Sequence, residues 1–341
     1  MKYDIGISNA VIVSSHNGYE PFIGSVGVKE TRITCVMHGE IDKEECEIWI
    51  DGTGKILMPG LVNGHCHGDM TLARGLGDDM TLLEQNHAFA DTGWFYTLID
   101  DEDRFYSRQL TYCEALLCGT TFIMENMYWG LGKESVRAMK EVGIRGALAE
   151  DIRVDFMRPD EFVSGEFLDE YKKQCEEAGL IPVIGGISEE DYETNRLKRI
   201  QGIAGQKGMK ITCHLAENTW RREIVRQRYQ TSAIDYLYQN DLLDENVIGS
   251  HVVYATEEEI AQLAQANVKV VNTPLCEMKI RDGIAPIPEM VRQGIRVCLG
   301  TDGAMWNNSN DIFREMKGIS LIHTMNSGIR SLDTKTILDM A

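Results

Sequence analysis

LMPGLVNGHCHGDMTLARG, residues 57–75, joins an apolar strand expected over Ile56–Val62 to two imidazoles one residue apart, His65 and His67. Residues i and i+2 of a strand point to the same face, so both rings are expected to aim into one space, with Cys66 turned away. Neutral imidazole is the commonest protein ligand for zinc-like ions. An H-x-H pair alone is equally well read as two polar loop residues, so its meaning is set by the rest of the chain.

Downstream of this stretch the rhythm is apolar strand, loop, amphipathic helix, repeated. After Ile56–Val62, strands are expected over Thr120–Met124, Ile144–Ala149, Ile181–Ile184, Lys210–His214, Val247–His251, Val268–Asn272 and Ile295–Gly300. Helices are expected over Glu134–Val142, Glu161–Ala178, Tyr192–Lys207, Trp220–Gln239, Glu257–Ala266, Pro288–Gln293 and Asp311–Met325. Near-continuous apolar strands with helical crossovers imply a parallel sheet covered on both faces, and eight of them favour closure into an α/β (β/α)8 barrel. A doubly wound open sheet is the alternative, but no G-x-G-x-x-G follows a strand and no Walker A loop is present. Upstream, residues 1–55 alternate and turn often, which reads as a small partial β-sandwich preceding a barrel over 56–341.

A barrel carries its active site at the carboxyl ends of its strands. The first strand leads to His65 and His67; the fifth ends in His214, with Glu217 three residues on. The sixth ends in His251 and the eighth in Asp302. A lone histidine on an apolar strand is usually a satisfied core residue, but four on one rim together with an aspartate reverse that reading. Three imidazoles and a carboxylate suit zinc or ferrous iron, whereas magnesium and calcium want oxygen ligands. Such a site lowers the pKa of bound water toward ~7. Glu217 is placed to carry a proton, and His251 to orient the water or stabilise developing charge.

Composition narrows the partners. At 341 residues the chain exceeds the size of one barrel, about 250, and its 43% hydrophobic and 26% charged residues are ordinary for a globular protein. The formal net charge of -19 argues against nucleic acid or an anionic membrane as partner. Nine cysteines without a C-x-x-C read as thiols in a reducing compartment. With no signal pattern at MKYDIGISNA and no apolar run approaching about 18 residues, a cytoplasmic enzyme acting on a small molecule is expected.

The runs PGLVNGHCHGDMTLARGLGDD, ITCHLAEN, GSHVVY, NTPLCEMKIRDGIAP and GTDGAMWNNSNDIFREMK together resemble the amidohydrolase superfamily. More narrowly they are similar to the branch of methylthioadenosine and S-adenosylhomocysteine deaminases, heterocycle deaminases and triazine hydrolases. The resemblance covers Leu57 to the C-terminus. It implies one zinc or iron ion on a (β/α)8 barrel, with His65, His67, His214 and Asp302 as ligands, Glu217 as proton shuttle and His251 as partner of the attacking water. Asp302 then also takes a proton from that water. The segment IPVIGGISEED lacks the bridging Lys of binuclear relatives, which favours a single metal.

Departures from that pattern concern the pocket walls. Gly186, Ile187, Ser188 and Glu189 stand where nucleoside deaminases of the branch carry a Pro-His-Ala-Pro-like loop; Cys276 and Glu277 replace Ser-Asn, and Trp306 a small residue. Glu277 and Trp306 are candidates to read a ring's amino edge and face; a solvent-facing acid and a lid-packing aromatic are the alternative. Asp69 and Glu125 share that ambiguity, and the arginines at 221, 222, 226 and 228 read as a solvated face. The sequence stops at Ala341 without strands to complete the sandwich, so either it is a fragment or a second subunit in a homo-oligomer covers the sheet edges. The leading expectation is deamination of an aminated nitrogen heterocycle. The alternatives are loss of chloride or alkylamine from a triazine-like ring, and a non-catalytic scaffold stabilised by its metal.

Overall fold

The computed structural model describes residues 1–90, 99–126, 132–153, 161–329 and 331–341. By its internal contacts the chain divides into Met1–Gly60 and Leu61–Ala341.

The first unit is built on β1 (Tyr3–Ile12), which pairs antiparallel with β2 (Phe22–Lys29) and parallel with β4 (Cys46–Asp51), while β3 (Arg32–His38) extends the sheet beyond β2. Burial alternates along β1, as the two-residue period of a half-buried strand requires. Tyr3, Ile41 and Cys46 form its small core with Cys35 and Trp49. The fifth strand, β5 (Ile56–Leu57), pairs with β1. Ile56 and Leu57 therefore belong to this sheet and not to the barrel strand expected over Ile56–Val62. The break falls at Pro59-Gly60, because Pro lacks the N–H that a continuous strand would need to donate.

In the second unit eight parallel strands follow one another in chain order: β6 (Leu61–Cys66), β7 (Thr120–Asn126), β8 (Arg145–Asp151), β9 (Ile181–Ile187), β10 (Lys210–Leu215), β11 (Val247–His251), β12 (Lys269–Asn272) and β13 (Val297–Leu299). The seam between β13 and β6 is bonded by other means. Toward the carboxyl ends, Thr301 and Asp302 donate their N–H groups to the His65 carbonyl at 3.1 and 2.9 Å, and the Asn63 side chain bridges to Thr301. Just before these residues, Leu299 N–H donates to Met340 O, and Val62 N–H, near the start of β6, donates to Ala341 O. Backbone groups that edge strands would leave open are thus satisfied, giving a nearly closed (β/α)8 barrel. Its interior is packed by Met124, Ala147, Ala149, Val183 and Val271. Close approach across the seam depends on glycine: a Cβ on Gly300 would lie 2.8 Å from the backbone nitrogen of His65.

Two helical expectations are corrected. Trp220–Gln239 is two helices, Thr219–Tyr229 and Ala233–Gln239, separated where Gln230 turns left-handed (φ 57°) and Ser232 caps the second. A 17-residue helix, Asp101–Leu117, lies between β6 and β7 where none was expected. It starts at a capping box of Asp100 and Asp103. Its buried face mixes Phe105, Tyr112 and Ala115 with Arg104, Ser107, Arg108 and Thr111, so polar residues interrupt the apolar stripe that marks a helix in sequence. Among the described residues no helix is long and apolar enough to cross a membrane.

Candidate metal and catalytic centre

The carboxyl ends of β6, β10, β11 and β13 bring His65, His67, His214, His251 and Asp302 together, all buried. Candidate ligand atoms of His65, His67 and Asp302 lie within 4.8 Å of one another, and so do those of His65, His214 and His251. Two triads thus share His65. His67 Nε2 is 3.6 Å and His65 Nε2 3.9 Å from Asp302 Oδ1, and the His65 ring centroid is 4.9, 5.1 and 5.3 Å from those of His67, His214 and His251. The expected alternation about Cys66 holds: its side chain is buried toward Asn310. His67 itself lies one residue beyond β6, opening a short 3-10 turn over Gly68–Ala73.

The outer nitrogens fix the rings. His67 Nδ1 donates to the carbonyl of Asn126 at 3.0 Å, leaving Nε2 as the lone pair. The Ser250 hydroxyl and the Asn126 amide sit on His65 Nδ1 at 2.9 and 2.8 Å, and the Ser188 hydroxyl on His214 Nδ1 at 3.3 Å. Burial pushes both His65 and His214 well below the ordinary imidazole value, so both are neutral at pH 7. His65 Nε2 and His251 Nε2 are buried without a hydrogen-bond partner. Buried ring nitrogens left without a partner in this way are costly unless something occupies the space between them. Nitrogen donors beside one carboxylate fit a zinc or ferrous ion.

Backbone strain collects at the same strand ends. His251, Val252, Asp302 and Ala216 all have left-handed φ (74°, 54°, 60° and 48°), at a cost of roughly 1–3 kcal/mol each for residues other than glycine. The neighbouring backbone holds them there: Val252 N–H donates to Leu215 O and Tyr254 N–H to Ala216 O, both at 2.9 Å.

Glu217 is buried three residues beyond His214, with Oε1 3.9 Å from His251 Nε2 and Oε2 against the Arg221 guanidinium. Arg221 also bonds Glu190 at 2.8 and 2.9 Å. One of the four arginines expected on a solvated face is therefore inside the site; Arg222, Arg226 and Arg228 are exposed. The i,i+4 spacing of Glu217 and Arg221 was the available signal. Acid crowds this wall. Burial, opposed by Arg221 and reinforced by Glu217, pushes Glu189 up to about 8, and burial beside Glu217 and Glu277 pushes Asp282 up. Burial alone would lower His251, but Glu217, Glu277 and Asp302 outweigh it and hold it at about 10.

Neither Asp69 nor Glu125 faces the ligand cluster. Both are fully buried against Arg108, whose Nε donates to Glu125 Oε1 at 2.6 Å and whose Nη2 is 3.6 Å from Asp69 Oδ2. Glu277 is not free to read a ring edge: Asn272 Nδ2 donates to both its oxygens (2.9 and 2.8 Å) and Thr273 N–H to Oε1 (3.0 Å). Trp306 does reach the site, meeting the His67 ring edge-on at 5.3 Å between centroids while packing on Met70, Ala73 and Met305. Cys276 Sγ lies 3.2 Å from Asp302 Oδ2 and donates to it.

A barrel of this topology with imidazoles and an aspartate gathered at its carboxyl rim defines a metallohydrolase. Residues 56–341 match the amidohydrolase family, and the chain belongs to it. It is 33% identical over 292 residues to a 5'-deoxyadenosine deaminase of Methanopyrus kandleri, covering 83% of this chain and 66% of that one. It is 30% identical to a 5-methylthioadenosine/S-adenosylhomocysteine deaminase of Aquifex aeolicus, covering all of this chain and 78% of that one. The fold is shared with an adenosine deaminase from Xanthomonas campestris with bound zinc, at a TM-score of 0.89 and 22% identity over 99% of this chain and 78% of that one. It is also shared with a zinc complex of atrazine chlorohydrolase from Arthrobacter aurescens TC1, at a TM-score of 0.86 and 18% identity over 99% and 81%.

Proposed function

We propose that the chain is a metal-dependent aminohydrolase that replaces an exocyclic amino group of a nitrogen heterocycle by oxygen, releasing ammonia. The observation that carries this reading is the convergence of His65, His67, His214 and Asp302 with Glu217 and His251 alongside. His65, His67, His214 and Asp302 are the residues that would hold one divalent ion, zinc before iron. When bound, such an ion acts as a Lewis acid and lowers the pKa of water toward ~7.

The protein's own groups handle the protons. Asp302, whose Oδ1 is tied to Gly303 N–H at 2.7 Å, offers Oδ2 as acceptor for the proton leaving the attacking water. Glu217, held by Arg221, delivers a proton to the ring nitrogen beside the reacting carbon, so that the carbon can turn tetrahedral without charge building on the ring. Asp302 passes the water's proton to the departing amino group and the new hydroxyl returns a proton to Glu217, so that water and the aminated ring become the oxo ring and ammonia. His251 Nε2, between Glu217 and Asp302 at 3.9 and 3.8 Å, is placed to orient the water and stabilise negative charge.

Deamination is preferred over triazine dechlorination because the relatives at 30% identity or more bear deaminase names, whereas the triazine hydrolase likeness at 18% carries the fold alone. The loop after β9 supports the site internally, Ser188 on His214 and Glu189 Oε1 accepting from Ala216 N–H at 2.5 Å, so no nucleoside contact is drawn from it. The test is ammonia release from 5'-deoxyadenosine, adenosine, guanine and an aminated triazine by purified protein. Turnover abolished in Glu217→Gln supports the proposal; no ammonia from any aminated ring by metal-loaded protein contradicts it.

A further inference from the structure

Glu277 and Thr273 lie behind His251, on the side away from Asp302 and Glu217. The Thr273 hydroxyl is 3.0 Å from His251 Nδ1 and 3.3 Å from Glu277 Oε1, and Glu277 Oε1 is 3.6 Å from the same imidazole nitrogen. All three residues are buried to 1% exposure or less. The Glu277 carboxylate is anchored by both its oxygens to Asn272 and by one to the Thr273 backbone N–H. A carboxylate surrounded by N–H donors is an acceptor only. The single Thr273 hydroxyl proton therefore goes to Glu277, and what remains on Thr273 Oγ1 toward His251 is a lone pair. His251 Nδ1 must then carry a proton and donate it.

We infer that the relay His251 Nδ1–H to Thr273 Oγ1–H to Glu277 makes Glu277 and Thr273 positioning residues for catalysis, fixing His251 so that Nε2 alone faces the reacting centre. Two further observations agree. His251 Nε2 is buried without a hydrogen-bond partner, and the left-handed φ of His251 and Val252 shows a ring placed by its surroundings against backbone preference. The direction of the relay holds whether Nε2 is bare or protonated, since only the outer nitrogen is constrained. A ring pinned in one orientation with Nδ1 committed to Thr273 loses no time in flipped or proton-swapped states, which would change what Nε2 presents to the reacting centre. Glu277 thus acts through His251 rather than on substrate. The inference rests on the aminohydrolase reading for its kinetic consequence, but not for the tautomer itself.

The test has two arms. In zinc-loaded protein labelled with 15N-histidine, long-range 1H–15N spectra, with His251→Gln used for assignment, should show His251 protonated at Nδ1. Thr273→Val and Glu277→Gln should each introduce a population protonated at Nε2 with Nδ1 bare. An Nδ1-bare ring in the unmodified protein, or unchanged tautomers in both variants, overturns the inference whether or not any substrate is found. In the kinetic arm, with 5'-deoxyadenosine and guanine as probes, both variants should lose roughly 10–100-fold in kcat, with KM within about twofold and full zinc content. Thr273→Ser, which keeps the hydroxyl, should recover at least tenfold over Thr273→Val. A loss of activity that merely follows loss of zinc, or no recovery by serine, refutes a positioning role.

Discussion

Arg108→Met removes the cation from a buried charge cluster while keeping most of the side-chain volume. Arg108 is fully buried, 2.6 Å from Glu125 and 3.6 Å from Asp69, and Arg104 reaches Asp69 at 3.4 Å. After the substitution Asp69 keeps Arg104, and Glu125 keeps a backbone hydrogen bond from Gly68 but no cation. Breaking a buried pair from one side costs about 3–5 kcal/mol, or roughly 6–20 °C in Tm for a unit of this size. The cost depends on pH with a definite sign. Burial outweighs Arg108 and holds Glu125 at about 7, above its unfolded value, so its contribution is complete at low pH and is lost as pH rises through about 7. Without Arg108 the carboxyl titrates higher still, so the loss continues above pH 7 in the variant after it has ended in the parent. Thermal unfolding of the two at pH 5.5 and pH 8 should give the larger difference at pH 8. The turn carrying Gly68, whose carbonyl accepts from Ser107 and Thr111 of the same helix at 3.0 and 2.9 Å, should loosen too, weakening metal retention. A difference below about 1 kcal/mol at pH 8, or one no smaller at pH 5.5, would refute the reasoning.

Other expectations follow from the same geometry. Glu189→Gln keeps the acceptor for Ala216 N–H and removes a carboxyl held at about 8; parent stability should therefore fall between about pH 4.5 and 8 relative to the variant, read by urea unfolding across that range, and parallel curves would count against it. Arg221→Met should lower kcat about 10–100-fold with metal content kept, because Glu217 loses the cation that orients it. Gly300→Ala puts a methyl 2.8 Å from His65 N and should cut zinc affinity by at least about tenfold in a chelator competition, the seam having to open to admit it.

What the sequence disclosed and what it hid follow from which residues carry a periodic or positional signal. His65, His214, His251 and Asp302 were legible because parallel barrel strands are apolar runs whose ends stand out, and a barrel places those ends on one rim. Helix Asp101–Leu117 was hidden because Arg104, Ser107, Arg108 and Thr111, polar groups serving Gly68, Asp69 and Glu125, interrupt Phe105, Tyr112 and Ala115 on its inward face. Ile56 and Leu57 read as the start of a barrel strand because apolarity does not say which sheet a strand joins; the Pro59-Gly60 interruption was the usable cue. Arg221 looked like its exposed neighbours, and only its pairing with Glu217 and Glu190 separates it from them. Glu277 could be seen as unusual, but that it points behind His251 rather than toward a ligand depends on Asn272 and Thr273, which no spacing rule reports.

The central claim is that one ion held by His65, His67, His214 and Asp302 works together with a separate proton carrier at Glu217. Metal per chain and ammonia release, measured side by side in the parent, His65→Ala and Glu217→Gln, address it most directly. The account predicts about one divalent ion per chain and turnover in the parent, neither in His65→Ala, and metal without turnover in Glu217→Gln. Full-rate ammonia release by metal-free protein, or by Glu217→Gln, would contradict it.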